Sequence, residues 1–199
     1  EAAVEVVVDF TVLSVGRETM TFAAANGIHA VVGTTGFSDE DLAGFRAAFT
    51  SSNALIAPNF AIGAVLRVRF AELAAPHFDT AEIVEIHHDK KVDAPSGTAT
   101  HTAERMAAAS TEWADDPTTH QIYEGARGGV GPGEIHVHSV RMRGAVANQE
   151  VILGTTGQTL TIRHDTIDRT SFMPGVLIGV KNVANHTGVT VGLDTYLGL

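Results

Sequence analysis

The sequence predicts an α/β protein in two parts: a partial parallel sheet of doubly wound type, and a second α+β domain with a mixed, largely open-faced sheet. Three observations predict it. Residues 1–60 alternate short β-branched runs with helical stretches. Residues 135–165 carry three strand-like runs with no helix between them. Residues 171–188 return to an apolar helical pattern.

The first strand is "VEVVVDF" (4–10), a β-branched run. A helix from about Ser14 to Ala25 follows, with Asn26 and Gly27 as its stop. "IHAVVG" (28–33) is a second buried strand. "SDEDLAGFRAAF" (38–49) is a helix, with Ser38 as N-cap and Asp39, Glu40 and Asp41 at the positive end of its dipole. "ALIAPNF" (54–60) is a third strand, broken at Pro58. Short connections between strands and helices imply a parallel, Rossmann-like sheet with right-handed crossovers. Ligands of such sheets bind beyond the carboxyl ends of the strands. Here those ends are Thr11, "GTTG" (33–36) and "APNF" (57–60). No Gly-x-Gly-x-x-Gly or Gly-x-x-Gly-x-x-Gly fingerprint follows any strand.

After Phe60 the pattern changes. Residues 63–75 form a helix ended by Pro76, "AEIVEIHH" (81–88) a strand, and "SGTATHTAERMAAA" (96–109) a helix with Ser96 as N-cap. The glycines of "GARGGVGPGE" (125–134) make a flexible loop. "IHVHSVRMRG" (135–144), "QEVILGTT" (149–156) and "QTLTIRHD" (158–165) are strands, the last two a hairpin around Gly157. "SFMPGVLIGVKNVANHTG" (171–188) is a helix stopped at Gly188, and "VTVGLDTYL" (189–197) returns to the first domain. The expected division is 1–60 with 170–199, the remaining part of a dinucleotide-binding domain, and 61–169, a substrate-binding and oligomerisation domain.

Composition narrows the function. With 199 residues and 44% hydrophobic residues the chain can bury a core. A net charge of −10 disfavours nucleic acid, which needs a basic footprint. No apolar stretch reaches bilayer length, so no membrane partner is expected. Cysteine is absent, which removes disulfide and thiolate chemistry and agrees with a cytoplasmic setting.

The segment that carries chemistry is "EIHHDKKVDAPSGTAT" (85–100). His87 and His88 face opposite sides of a continuing strand, but at a strand end one can turn into a cleft. Lys90 and Lys91 follow, and Pro95 holds Ala94 extended. A helix beginning near Ser96 leaves free N–H groups around Gly97 and Thr98, a ready site for a carboxylate or phosphate. The competing reading is a solvated turn with an ordinary serine cap. His136 and His138 have a spacing that can ligate zinc, but no further ligand of the usual spacing is near. They are read as a polar sheet face or subunit interface, and no metal is assigned. His29 is read as a packed or edge histidine. Arg163, His164, Asp165, Asp168 and Arg169 are read as an ion-pair network, with an interdomain hinge role as the alternative.

These residues resemble a family. "EIHHDKKVDAPSGTAT" is similar to the signature of the 4-hydroxy-tetrahydrodipicolinate reductases (dihydrodipicolinate reductases) of the diaminopimelate route to lysine, in their actinobacterial form. "VVDFT" (7–11), "GIHAVVGTTGF" (27–37), "APNFAIGAVL" (57–66), "GARGG" (125–129), "NQEV" (148–151) and "LTIRHDTIDRTSFMPGVL" (160–177) match in the same order. The resemblance implies hydride transfer from NADH or NADPH to a cyclic dicarboxylate. It places His87 as proton donor and acceptor, Lys91 rather than Lys90 as the catalytic lysine, and His88, Gly97 and Thr98 on the substrate. Gly33, Thr34 and Thr35, with Ala57, Pro58, Asn59 and Phe60, fall on the loops at the nicotinamide end of the cofactor. It also implies a homotetramer formed through the second domain's sheet. A strand with a Gly-rich turn is expected before Glu1, so the chain is read as an N-terminally truncated fragment that alone binds NAD(P)H poorly. An inactive fragment keeping only the substrate and assembly domain is the alternative.

Overall fold

The computed structural model describes residues 4–199. In chain order its elements are β1 (Val6–Asp9), α1 (Leu13–Ala25), β2 (His29–Val32), α2 (Asp39–Ala48), β3 (Ala54–Ile56), α3 (Ile62–Ala74), β4 (Thr80–His87), α4 (Gly97–Ala109), β5 (Gly129–Val130), β6 (His136–Arg141), β7 (Ala147–Thr155), β8 (Gln158–Thr166), α5 (Met173–Asn182), β9 (Val189–Val191) and α6 (Asp194–Leu197). The chain divides into two compact units, Glu1–Val65 with Thr170–Leu199, and Leu66–Arg169.

The first unit holds a parallel sheet in the order β1-β2-β3-β9. Alternation along β2 divides its core. Ala30 and Val32 pack with Met20 and Ala23 of α1 and Phe45 of α2. Val31 packs on the other face with Leu55, Val176 and Val183. Both faces are covered, so these strands read as unbroken apolar runs. Ser38 caps α2: its hydroxyl accepts from the Asp41 N–H, and Asp41 accepts from the Ser38 N–H in return. Gly179 lets α5 approach the sheet, since a Cβ there would come 2.9 Å from Leu55 Cδ2.

The 171–188 helix expected from the sequence is shorter in the structure. Pro174 sits in the first turn of α5, preceded by a 3-10 turn at Arg169–Phe172. Asn182 ends the helix, donating its side-chain amide to the Ile178 carbonyl at 2.8 Å, and a single 3-10 turn follows. Local side-chain bonding of this kind competes with helix continuation.

The second unit holds a mixed sheet in the order β5-β6-β4-β7-β8. β4 runs parallel to β6 and antiparallel to β7, and β7 turns directly into β8. The segment read as a flexible loop at 125–134 contains β5, in which Gly129 and Val130 pair with Val137 and His136 at the sheet edge. Two paired residues among glycines leave too short a signal for sequence periodicity to register.

The covered face of this sheet changes chemistry along its strands. Ile83, Val151 and Ile162 lie in one register row and pack with Ala99, Ala103 and Met106 of α4 and Ala71 of α3. Two residues further along β4 the same face carries Glu85, aligned with Gln149 and His164. His87 ends the strand on that face.

Candidate active site

The second unit gathers the residues of the 85–100 segment around a buried carboxylate. Glu85 is 0% exposed. Arg141 Nη1 and Nη2 donate to its two oxygens at 2.8 and 2.7 Å, and the Ser96 N–H donates to Oε1 at 3.2 Å. His87 Nδ1 lies 2.5 Å from Glu85 Oε2. A buried carboxylate is tolerable only when donors saturate it, as they do here. Burial alone would raise the Glu85 carboxyl, but the hydrogen bonds from Arg141, Ser139 and His87 outweigh it and hold it below the usual carboxylate range. His87 is pushed below the ordinary imidazole value, chiefly by burial. Glu85 opposes that shift, and the Lys91 and Arg141 charges add to it.

The loop after β4 is tied to the same centre. Arg141 Nη2 also donates to the Asp93 carbonyl at 2.6 Å. Lys91 Nζ lies 2.9 Å from Asp93 Oδ1. Lys91 is partly buried while Lys90 is exposed. His88 lies beyond the strand end, its Nδ1 accepting from the Lys90 N–H at 3.3 Å. Ser96 starts α4, its hydroxyl accepting from the Ala99 N–H. The Gly97 and Thr98 N–H groups have no partner among the described residues, as the first turn of a helix leaves them. A Cβ built on Gly97 would meet no protein atom within 4 Å. The structure thus places an imidazole, an ammonium and two free N–H groups around one strand end, a constellation able to pass a proton beside a bound carboxylate.

A polar layer supports α4 from below. The Thr102 hydroxyl donates to the Thr98 carbonyl at 2.7 Å and accepts from Gln149 Nε2 at 2.9 Å and Arg67 Nη2 at 3.4 Å. Arg67 is 3% exposed, with no carboxylate paired to it among the described residues, and burial lowers its pKa to about 10.

In the first unit the two expected cofactor loops follow β2 and β3. The Asp9 carboxylate accepts from the hydroxyls of Thr34 at 2.5 Å and Thr19 at 2.8 Å, and from both the N–H and hydroxyl of Thr11. Burial would raise this carboxyl, but those donors prevail and lower it. Thr34 Oγ1 also accepts from the Thr11 N–H, so its side chain is spent within the fold. Thr35 is exposed, and its hydroxyl has no partner among the described residues. A Cβ on Gly33 would collide with the Phe10 ring, which is 50% exposed and tilted against Phe60 at 5.3 Å. Ala57 and Phe60 are buried, while Pro58 is exposed and Asn59 Oδ1 accepts from the Ala61 N–H. A half-exposed ring beside Gly33, with a free Thr35 hydroxyl, fits the flat, amide-bearing nicotinamide. From the second loop, Pro58, Asn59 and backbone groups are the atoms free for contact.

Most of the remaining singled-out residues have structural partners. His136 Nδ1 bonds the Arg127 carbonyl and its Nε2 lies 3.3 Å from Asp116, while His138 Nε2 lies 2.6 Å from Glu82. Arg163 pairs with Glu150 and Asp165. His29 Nδ1 accepts from the Asn53 N–H. Sequence reasoning missed Glu85, Arg141 and Asp9. Glu85 was accessible in principle, being two residues before His87 and so on its face of the strand. Arg141 comes from β6, and only the pairing register brings it there.

A parallel sheet whose strand ends carry open, backbone-rich loops, in one chain with an imidazole–ammonium site, is the layout of an enzyme that pairs a ligand-binding sheet with proton-transfer chemistry. Known proteins agree. The dihydrodipicolinate reductase N-terminus family matches residues 1–60, and the dihydrodipicolinate reductase C-terminus family matches residues 63–197. A 4-hydroxy-tetrahydrodipicolinate reductase of Corynebacterium aurimucosum is 55% identical over 205 residues, spanning 100% of this chain and 82% of the relative. One from Nocardia farcinica is 52% identical over 206 residues, with the same coverage. A solved structure, dipicolinate-bound dihydrodipicolinate reductase from Paenisporosarcina sp. TG-14, superposes with a TM-score of 0.86 at 40% identity, over 96% of this chain and 73% of that one. The chain belongs to the 4-hydroxy-tetrahydrodipicolinate reductase family, NAD(P)H-dependent oxidoreductases of lysine biosynthesis. These matches favour the reductase over the inactive assembly module.

Proposed function

We propose that the chain reduces 4-hydroxy-tetrahydrodipicolinate to tetrahydrodipicolinate, with loss of water, using NADH or NADPH, and that His87 supplies the proton. The carrying observation is the His87–Glu85 contact at the end of β4, beside Lys91 and the start of α4. When bound, the dihydronicotinamide supplies the hydride. Gly33, Thr34 and Thr35 hold it through backbone groups and the Thr35 hydroxyl, with Ala57, Pro58, Asn59 and Phe60 forming the second loop. Hydride arrival leaves electron density on the substrate, which His87 quenches with a proton, an efficient role for an imidazole.

Two carboxylates need two anion sites. Lys91 and His88 serve one, and the Gly97 and Thr98 N–H groups at the start of α4 serve the other. The solved relative that carries dipicolinate, a planar ring with two carboxylates, supports a dicarboxylate ligand.

The proposal extends to a homotetramer built on the second unit's sheet, whose open face shows Val84, Ile86 and Val140, none fully buried. It also extends to a cytoplasmic setting, where NAD(P)H is available; no helix among the described residues is long and apolar enough to cross a membrane. The test is His87→Gln in the full-length protein, assayed by NAD(P)H oxidation with the cyclic substrate. Turnover is expected to fall about 10²-fold or more with cofactor affinity retained. Wild-type turnover in that variant sinks the assignment.

A further inference from the structure

Glu85 meets three elements at once: His87 on its own strand, Arg141 on β6 and the Ser96 N–H at the start of α4. We propose that Glu85 is a positioning residue that holds His87 as its Nδ1–H tautomer, so that Nε2 is the atom that delivers the proton, and that the same carboxylate locks the imidazole to the helix start that binds substrate. This rests on the reading of His87 as the proton donor.

The tautomer follows from donor and acceptor inventory. Arg141 donates to both Glu85 oxygens, and a guanidinium only donates. Despite burial, the hydrogen bonds that Glu85 accepts, those from Arg141 first, hold its carboxyl below the usual range, so Glu85 is an ionised acceptor and the hydrogen in its contact with His87 belongs to Nδ1. Neutral His87 then carries its lone pair on Nε2, and protonated His87 carries the transferable proton there. In the reaction the Nε2–H bond breaks. Its proton goes to the substrate centre made electron-rich by the hydride, its electron pair stays on Nε2, and a proton from water restores it. Second contacts of this kind fix ring orientation as well as tautomer.

The charged groups facing His87 are Glu85 from its own strand, Arg141 from β6, and Lys91 with Asp93 from the following loop. β7 and β8 offer Ala147 and Thr166 at this register, neither titratable, and the first turn of α4 carries no acidic residue. Among the described residues, Glu85 is thus the one carboxylate in contact with the ring. The sign is definite: a carboxylate stabilises the imidazolium, so its removal shifts loss of the proton-donating form to lower pH.

The test combines Glu85→Gln with ¹⁵N NMR of the histidine rings in the full-length protein. Wild-type His87 is expected to show the Nδ1–H tautomer, and finding Nε2–H there overturns the proposal without any variant. In E85Q the amide oxygen is expected to stay with Arg141 and the NH₂ to face the ring, which converts His87 to the Nε2–H tautomer. Turnover at neutral pH should fall about 10²-fold with KM for NAD(P)H held, and the basic limb of kcat/KM should move to lower pH. A purely structural role predicts lower thermal stability with tautomer and pH limb unmoved, and that result overturns it. Failure of the underlying reading is separable: it appears as full turnover in H87Q, whatever tautomer His87 adopts.

Discussion

The Thr34 hydroxyl donates to the Asp9 carboxylate at 2.5 Å, joining the loop after β2 to the end of β1. The bond consumes the side chain of one of two adjacent threonines and leaves the other, Thr35, free. The pair therefore separates by role. Thr34→Val leaves Asp9 buried with one donor fewer and should cost about 1–3 kcal/mol of stability. Thr35→Val should leave the urea midpoint unchanged and weaken NAD(P)H binding by several fold. Denaturation curves and a cofactor titration on both variants check this. Equal effects of the two on stability would contradict it.

The two lysines after β4 separate in the same way. Lys91 is partly buried and held by Asp93, while Lys90 stands in solvent. An exposed charge contributes little to a bound anion, whereas a partly desolvated one contributes a charge-assisted bond. Lys91→Gln should raise KM for the dicarboxylate about tenfold or more, and Lys90→Gln should change it less than about twofold. Steady-state kinetics at fixed ionic strength decide the matter.

Arg67 makes an unusual prediction about stability. A buried guanidinium with no counter-ion among the described residues pays desolvation that its bond to Thr102 returns only in part. Gln149 continues to satisfy Thr102 when Arg67 is removed. Arg67→Met, which keeps the stem and discards the charge, should therefore raise stability by about 1 kcal/mol, read as a higher urea midpoint. A clear loss would show that the cation has a stabilising partner in the assembled enzyme.

Much of this architecture was legible in the residues. The strand–helix alternation to Phe60, the Ser38 and Ser96 caps and the hairpin at Gly157 follow local rules of period, capping and turn chemistry. The segment 85–100 declared itself by its density of imidazoles and ammoniums. What sequence could not show depends on register and on local competition. Arg141 reaches Glu85 from 56 residues away, and the Asp9–Thr34 bond spans 25. β5 exists because β6 offers a free edge. The helix after Phe172 stops at Asn182 because that side chain bonds back onto its own turn.

The pairing of β3 with β9 has a consequence for how the molecule is made. Leu55 pairs with Val31 on one side, but its partner on the other side is Thr190, and the Asn53 side chain spans 135 residues to accept from the Gly188 N–H. A ribosome therefore releases β1, β2 and β3 long before the strand that completes their sheet. The 66–169 unit has every one of its strands in hand by then. The imidazole–carboxylate pair can be assembled while the cofactor-side sheet still waits for its last strand, and the unfinished edge of β3 is the surface a chaperone would need to shield during that interval.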